Sequence, residues 1–166
     1  YDGTRSWMTI NGAPVTDPKL IKRADFNRKT NFYWLTMMQK LNDPGLKYEL
    51  MPATTVNDIK YDVVKVTFKE GVGDAQDDYI LYINSKTKLA DRFTFTVRDF
   101  GVENPLLMEV KYTLHEGVRL PTYRRYAPID AEGNVDDTKW VEEISDKIKF
   151  NNNYKTKITL EILIIF

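Results

Sequence analysis

Few side chains in this sequence are of types that carry chemistry, and most stand without the partners that chemistry needs. His115 is the single histidine, placed between Leu114 and Glu116 at a strand end. A general base needs a nucleophile or substrate proton within hydrogen-bond reach, and no such group stands near it, so a surface histidine is expected. Asp74, Asp77 and Asp78 gather carboxylates beside Gly71 and Gly73, which is calcium-loop chemistry. They lack the spacing and the closing bidentate glutamate of an EF-hand, and a solvated acidic turn is expected. Asp130, Glu132, Asp136 and Asp137 make a weaker case of the same kind. Arg119, Arg124 and Arg125 offer planar forks suited to phosphate or carboxylate. Strand alternation sends Arg124 to one face and the other two to the opposite face, so pairing with acidic neighbours such as Glu109 is the expectation. Cysteine is absent, which excludes thiolate metal sites, disulfides and a cysteine nucleophile. No nucleophile-elbow, phosphate-loop or zinc-helix motif occurs. The expectation is a non-enzymatic chain with no catalytic residue, metal or cofactor.

The remaining candidate chemistry is apolar. Asn31 to Met38 reads as a helix without a clear polar face; such a helix must be covered on more than one side or face a groove that something else fills. Phe32, Tyr33, Trp34, Leu35, Met37 and Met38 are adaptable aromatic and thioether side chains of the kind that line a lipid pocket. Phe93, Phe95 and Met108, on alternating strands, are expected to face the same space. The competing reading is that all of these simply fill the core beneath the sheet.

The elements that position them follow from the pattern. A short strand over Arg5 to Ile10 ends at Asn11-Gly12, a pair suited to positive φ. Asp17-Pro18 starts a helix, with the carboxylate as N-cap and proline in the first turn. The helical region is predicted from Pro18 to about Leu41, with a break near Asn31, and Asn42-Asp43-Pro44-Gly45 stops it. From Leu46 onward the apolar period is two. Strands are predicted at Leu46 to Leu50, around Val64 to Phe68, at Tyr79 to Ile83, around Phe93 to Val97, around Met108 to Leu114 and at Val118 to Tyr126. Two more are predicted at Ile144 to Phe150 and Ile158 to Phe166, with a hairpin near Asn151 to Asn153. Pro121 marks an edge or a bulge, since it cannot donate to a ladder. Short connections leave no room for crossover helices, so the sheet is antiparallel and meandering.

Length and charge bound the rest. The 166 residues suffice for one domain with a real core. The 24 basic and 24 acidic side chains cancel, which argues against a nucleic-acid partner. No run approaches the roughly 18 apolar residues of a membrane-spanning helix. The chain opens on Tyr1 rather than methionine, and a product lacking its native N-terminal segment is expected.

Asn31-Phe32-Tyr33-Trp34, Asp43-Pro44-Gly45, Lys65-Val66-Thr67-Phe68, Gly71-Val72-Gly73-Asp74, Asp78-Tyr79-Ile80-Leu81-Tyr82, Pro105-Leu106-Leu107-Met108-Glu109 and Leu120-Pro121-Thr122 together resemble an uncharacterised family of bacterial envelope proteins. More distantly, Tyr1-Asp2-Gly3 before Trp7 and Gly117-Val118-Arg119-Leu120-Pro121 are similar to periplasmic lipoprotein carriers of the LolA type. That resemblance implies an α+β fold with a strongly curved antiparallel sheet, a half-barrel with the early helices on its concave face. It also implies a periplasmic or outer-membrane-associated domain that binds a lipid or another long apolar ligand, with an envelope protein as a further partner. The rival expectation is a solid-core structural or interaction module that holds a partner along a sheet edge or on its outer face.

Overall fold

The computed structural model describes residues 1–2, 4–72, 77–98 and 101–150. Asn11 and Gly12, both at positive φ, turn β1 (Thr9–Ile10) into β2 (Ala13–Pro14), as the pair predicts. Helix α1 (Pro18–Leu35) starts on Asp17, whose carboxylate accepts the Lys19 N–H at 2.8 Å. Asp17→Ala removes that acceptor and should cost about 1 kcal/mol of stability, read as a lower urea midpoint.

The helix does not break near Asn31. It breaks at Thr36, whose Oγ1 donates to the Phe32 carbonyl at 2.8 Å and competes with the backbone ladder. A four-residue α2 (Met37–Lys40) follows.

Among the described residues seven strands then pair in chain order: β3 (Leu46–Val56), β4 (Ile59–Phe68), β5 (Tyr79–Asn84), β6 (Ala90–Val97), β7 (Val102–His115), β8 (Val118–Pro128) and β9 (Val141–Ile144). Every neighbouring pair is antiparallel. β9 overlaps the strand predicted at Ile144 to Phe150 only at Ile144, so this strand lies upstream of its expected place. The strand predicted at Ile158 to Phe166 and its hairpin at Asn151 to Asn153 lie outside the described residues. Pro121 occupies the register shift where Lys111 faces Tyr123 but Thr113 faces Leu120. It therefore marks a bulge in an interior strand, and the edge reading of this residue is corrected.

The α+β class with one large antiparallel sheet holds, but the half-barrel does not. Among the described residues the sheet is open, running from β3 to β9 without closure, and it is not strongly curled. Register shifts interrupt four of the six ladders and bend the strands locally, yet they do not close the sheet.

Pairing register sorts the side chains. Val66, Tyr79, Phe95 and Leu106 share one cross-sheet row, and Val64, Leu81, Phe93, Met108 and Tyr126 the next. Both rows face the helices, where Trp34, Met37, Phe93, Phe95 and Met108 form the core with Val66, Leu81 and Val110. On this face Arg124 is 2% exposed and ties sheet to helix. Its guanidinium donates to Asn31 Oδ1 at 3.1 Å, to the Pro121 carbonyl at 3.0 Å and to Glu143 Oε2 at 3.2 Å.

Candidate functional site

The expected apolar site is filled by the protein itself. Trp34 meets Phe95 edge-on with ring centroids 5.1 Å apart and Tyr126 at 6.2 Å, while Phe93 lies 5.8 Å from Phe95 and Tyr33 lies 6.0 Å from Tyr79. These are the separations of packed aromatic pairs. Trp34, Met37, Phe93, Phe95 and Met108 are buried in that cluster. Phe32 points to solvent at 61% exposure, and Leu35 and Met38 are half-buried. Neither of the two concavities described, about 290 Å³ each, is lined by any of these eight residues. The lipid-cradle expectation is therefore corrected in favour of its competing reading: the helix face is covered by the sheet's own aromatic rows, and Phe32 lies on the wet side.

Tyrosine chemistry agrees with a dry centre. Burial pushes the Tyr33 hydroxyl up to about 12, and burial likewise raises Tyr79 and Tyr112 above the ordinary phenol value. A group with a raised folded pKa keeps its proton in the native state after the unfolded chain has lost it. Stability is thus unaffected below pH 10 and falls as pH climbs from the ordinary 10.0 toward about 12 at Tyr33. Urea midpoints measured at rising alkaline pH should decline over that window.

The polar candidates are also accounted for. Asp77 is buried and accepts from Thr96 Oγ1 and the Arg98 N–H, both at 2.9 Å, while Asp78 pairs with Arg98 at 2.9 Å. Asp74 lies outside the described residues. Asp130 accepts the Glu132 and Asn134 N–H groups, and hydrogen bonds from Lys139 and Thr138 hold Asp136 down at about 2. Asp130 and Asp136 cap their own turns, Asp77 and Asp78 instead tie their loop to the end of β6, and among the described residues no cluster of metal-ligating side chains forms. His115 is half-buried against Phe150, with ring centroids 5.5 Å apart.

On the sheet face away from the helices, register aligns Tyr82, Arg92, Glu109, Arg125 and Glu142 in one row across five strands. Arg125 donates to Glu109 at 2.6 and 2.8 Å and lies over Trp140 at 4.1 Å. Lys111 lies 4.9 Å from the Tyr123 ring centroid, and the Tyr123 hydroxyl donates to Glu142 at 2.5 Å. One of the two concavities sits over this row, beside the turn between β3 and β4. Its charges largely neutralise one another, as cross-strand pairs on a solvated sheet face do. The expected pairing of an arginine with Glu109 is realised by Arg125.

The sheet edge at β3 is different. Lys69 N–H donates to the Gly45 carbonyl at 2.9 Å, which fixes the phase of the β3–β4 ladder. Because hydrogen-bonded and non-hydrogen-bonded pairs alternate in an antiparallel ladder, Lys47, Glu49 and Met51 bond to β4. The N–H and C=O groups of Leu46, Tyr48 and Leu50 then point away from the sheet. Among the described residues no strand other than β4 pairs with β3. Tyr48 and Leu50 are 54% and 79% exposed, and Lys47 and Glu49 are exposed on the opposite face. Pro44 and Pro52, neither with an N–H to donate, bracket the segment. Sequence alternation identifies Leu46 to Leu50 as a strand with one wet face, but nothing local marks it as the edge. That position follows from pairing in chain order and, among the described residues, from the absence of a strand on its far side.

No helix among the described residues is long and apolar enough to cross a membrane. No curated protein and no solved structure matches this chain. The likeness to lipoprotein carriers that suggested an envelope setting is not upheld, because the family that does match has no assigned function and the half-barrel is missing. The profile of the DUF6503 family, a family of unknown function, matches residues 19–115; this is more than half of the 166 residues, and the chain belongs to that family.

Proposed function

We propose that this chain is a non-enzymatic interaction module with a solid core, which takes up an extended protein segment along β3. The observation that carries this reading is the run of outward backbone groups at Leu46, Tyr48 and Leu50, beside exposed apolar side chains on one face and charged ones on the other. Such an edge is a template for strand addition: main-chain hydrogen bonds supply affinity, and alternate side chains supply selectivity. The solid centre supports the same reading, because it leaves the surface as the place for recognition.

Tyr48→Pro tests it. The Tyr48 N–H points away from β4, so proline there removes an outward donor while sparing the β3–β4 ladder. A synthetic peptide spanning residues 45–51, titrated against the labelled protein by NMR, should shift the amides of Leu46, Tyr48 and Leu50, and the proline variant should show no such response. Equal responses from both proteins would place the peptide elsewhere and reject the edge.

A further inference from the structure

We propose that the occupant of this edge is β3 of a second copy of the chain, paired antiparallel about a two-fold axis at Tyr48. This rests on the reading of β3 as an interaction edge and names its partner. A two-fold at residue 48 places Tyr48 opposite its own copy, Leu46 opposite Leu50, and Lys47 opposite Glu49. Three requirements are met together. First, the phase agrees: Leu46, Tyr48 and Leu50 are the residues whose backbone groups point outward, so each becomes one partner of a hydrogen-bonded pair across the new ladder. Second, each face is self-complementary. The helix-side face brings Tyr48 and Leu50, now exposed, and the partly buried Leu46 from both copies together, and the other face makes two Lys47–Glu49 pairs. A two-fold at Lys47 or at Glu49 would instead set like charges directly opposite.

Third, the ladder has defined ends. Pro44 and Pro52 lie four residues to either side of Tyr48, so the same axis places Pro44 opposite Pro52. Neither can donate to a ladder, and the register shift between Met51 and Thr54 begins at the same point. Pairing is confined to the seven residues between the prolines. An isologous contact of this kind closes on itself as a dimer and does not propagate into a fibre.

Charge exchange in the full chain, followed by sedimentation equilibrium, separates this from other arrangements. The wild-type chain should approach twice its 19.4 kDa mass as concentration rises. Lys47→Glu sets acid against acid at both pairs, and Glu49→Lys sets base against base, so each variant alone should sediment as a monomer. Mixed together they should form a one-to-one heterodimer, since every 47–49 contact is then oppositely charged, and the double exchange K47E/E49K should dimerise alone. Formation of the mixed dimer also shows that the single variants are folded. A wild-type dimer that survives Lys47→Glu overturns the proposal. So does a wild-type chain that stays monomeric, and the peptide titration then tells which idea has failed. If the segment still binds at β3, the edge reading stands and the partner is another protein; if it does not, both fall.

Discussion

Phe95→Ala should lower the unfolding free energy by about 3–5 kcal/mol, the range for deleting a large aromatic from a packed core. Phe95 is 2% exposed and has four aromatic neighbours: Trp34 edge-on at 5.1 Å, Phe93 at 5.8 Å, Tyr126 at 6.2 Å and Tyr79 stacked at 6.3 Å. Aromatic pairs contribute on the order of 0.5–1.5 kcal/mol each beyond area burial, and β6 cannot collapse into the gap while it is held between β5 and β7. Urea denaturation with a shared slope measures the loss. The size of the effect bears on function as well as stability. A solid centre predicts the full penalty, whereas a centre that natively holds a ligand would tolerate the truncation at a small fraction of that cost.

Arg124→Met should be comparably damaging, at about 3–5 kcal/mol, because it strands partners rather than merely losing a contact. The Arg124 and Glu143 side chains are only 3% and 19% exposed, with 3.2 Å between them. Without the guanidinium, Glu143 keeps a poorly hydrated charge, and Asn31 Oδ1 and the Pro121 carbonyl lose their donor. Adding Glu143→Gln to the variant should recover part of the loss by removing the orphaned charge, and a double-mutant cycle in urea reads the coupling. The Asn31 contact predicts a further local sign. Amides of α1 should exchange faster in Arg124→Met than global destabilisation accounts for, since the arginine links that helix to β8.

Particular residues show how far the sequence could be read. Alternation at Val64, Val66 and Phe68 and at Met108, Val110 and Tyr112 identifies strands and inward faces, because a period of two needs no tertiary context. The turn at Asn11-Gly12 was legible through residues that accept positive φ, and Asn57-Asp58 and Glu116-Gly117 follow the same rule. The face of Arg124 was legible too, but its burial was not, since that depends on Asn31, 93 positions away. The Asn31 to Met38 stretch reads as apolar all round, covered either by core or by a ligand. Apolar spacing cannot reveal that Phe32 faces water while Trp34 and Met37 are met by strands distant in sequence. Curvature failed for a related reason: a meander of strands is compatible with an open sheet or a barrel, and strand alternation does not choose between them.

The β3 account can be tested most directly by amide hydrogen exchange on the unmodified chain at several protein concentrations. Lys47 and Glu49, bonded to β4, should be protected at every concentration. Leu46, Tyr48 and Leu50 should exchange rapidly when dilute and become protected together as the chain is concentrated. Exchange at those three residues that stays fast and independent of concentration, in a sample where Lys47 and Glu49 remain protected, would contradict pairing along this edge.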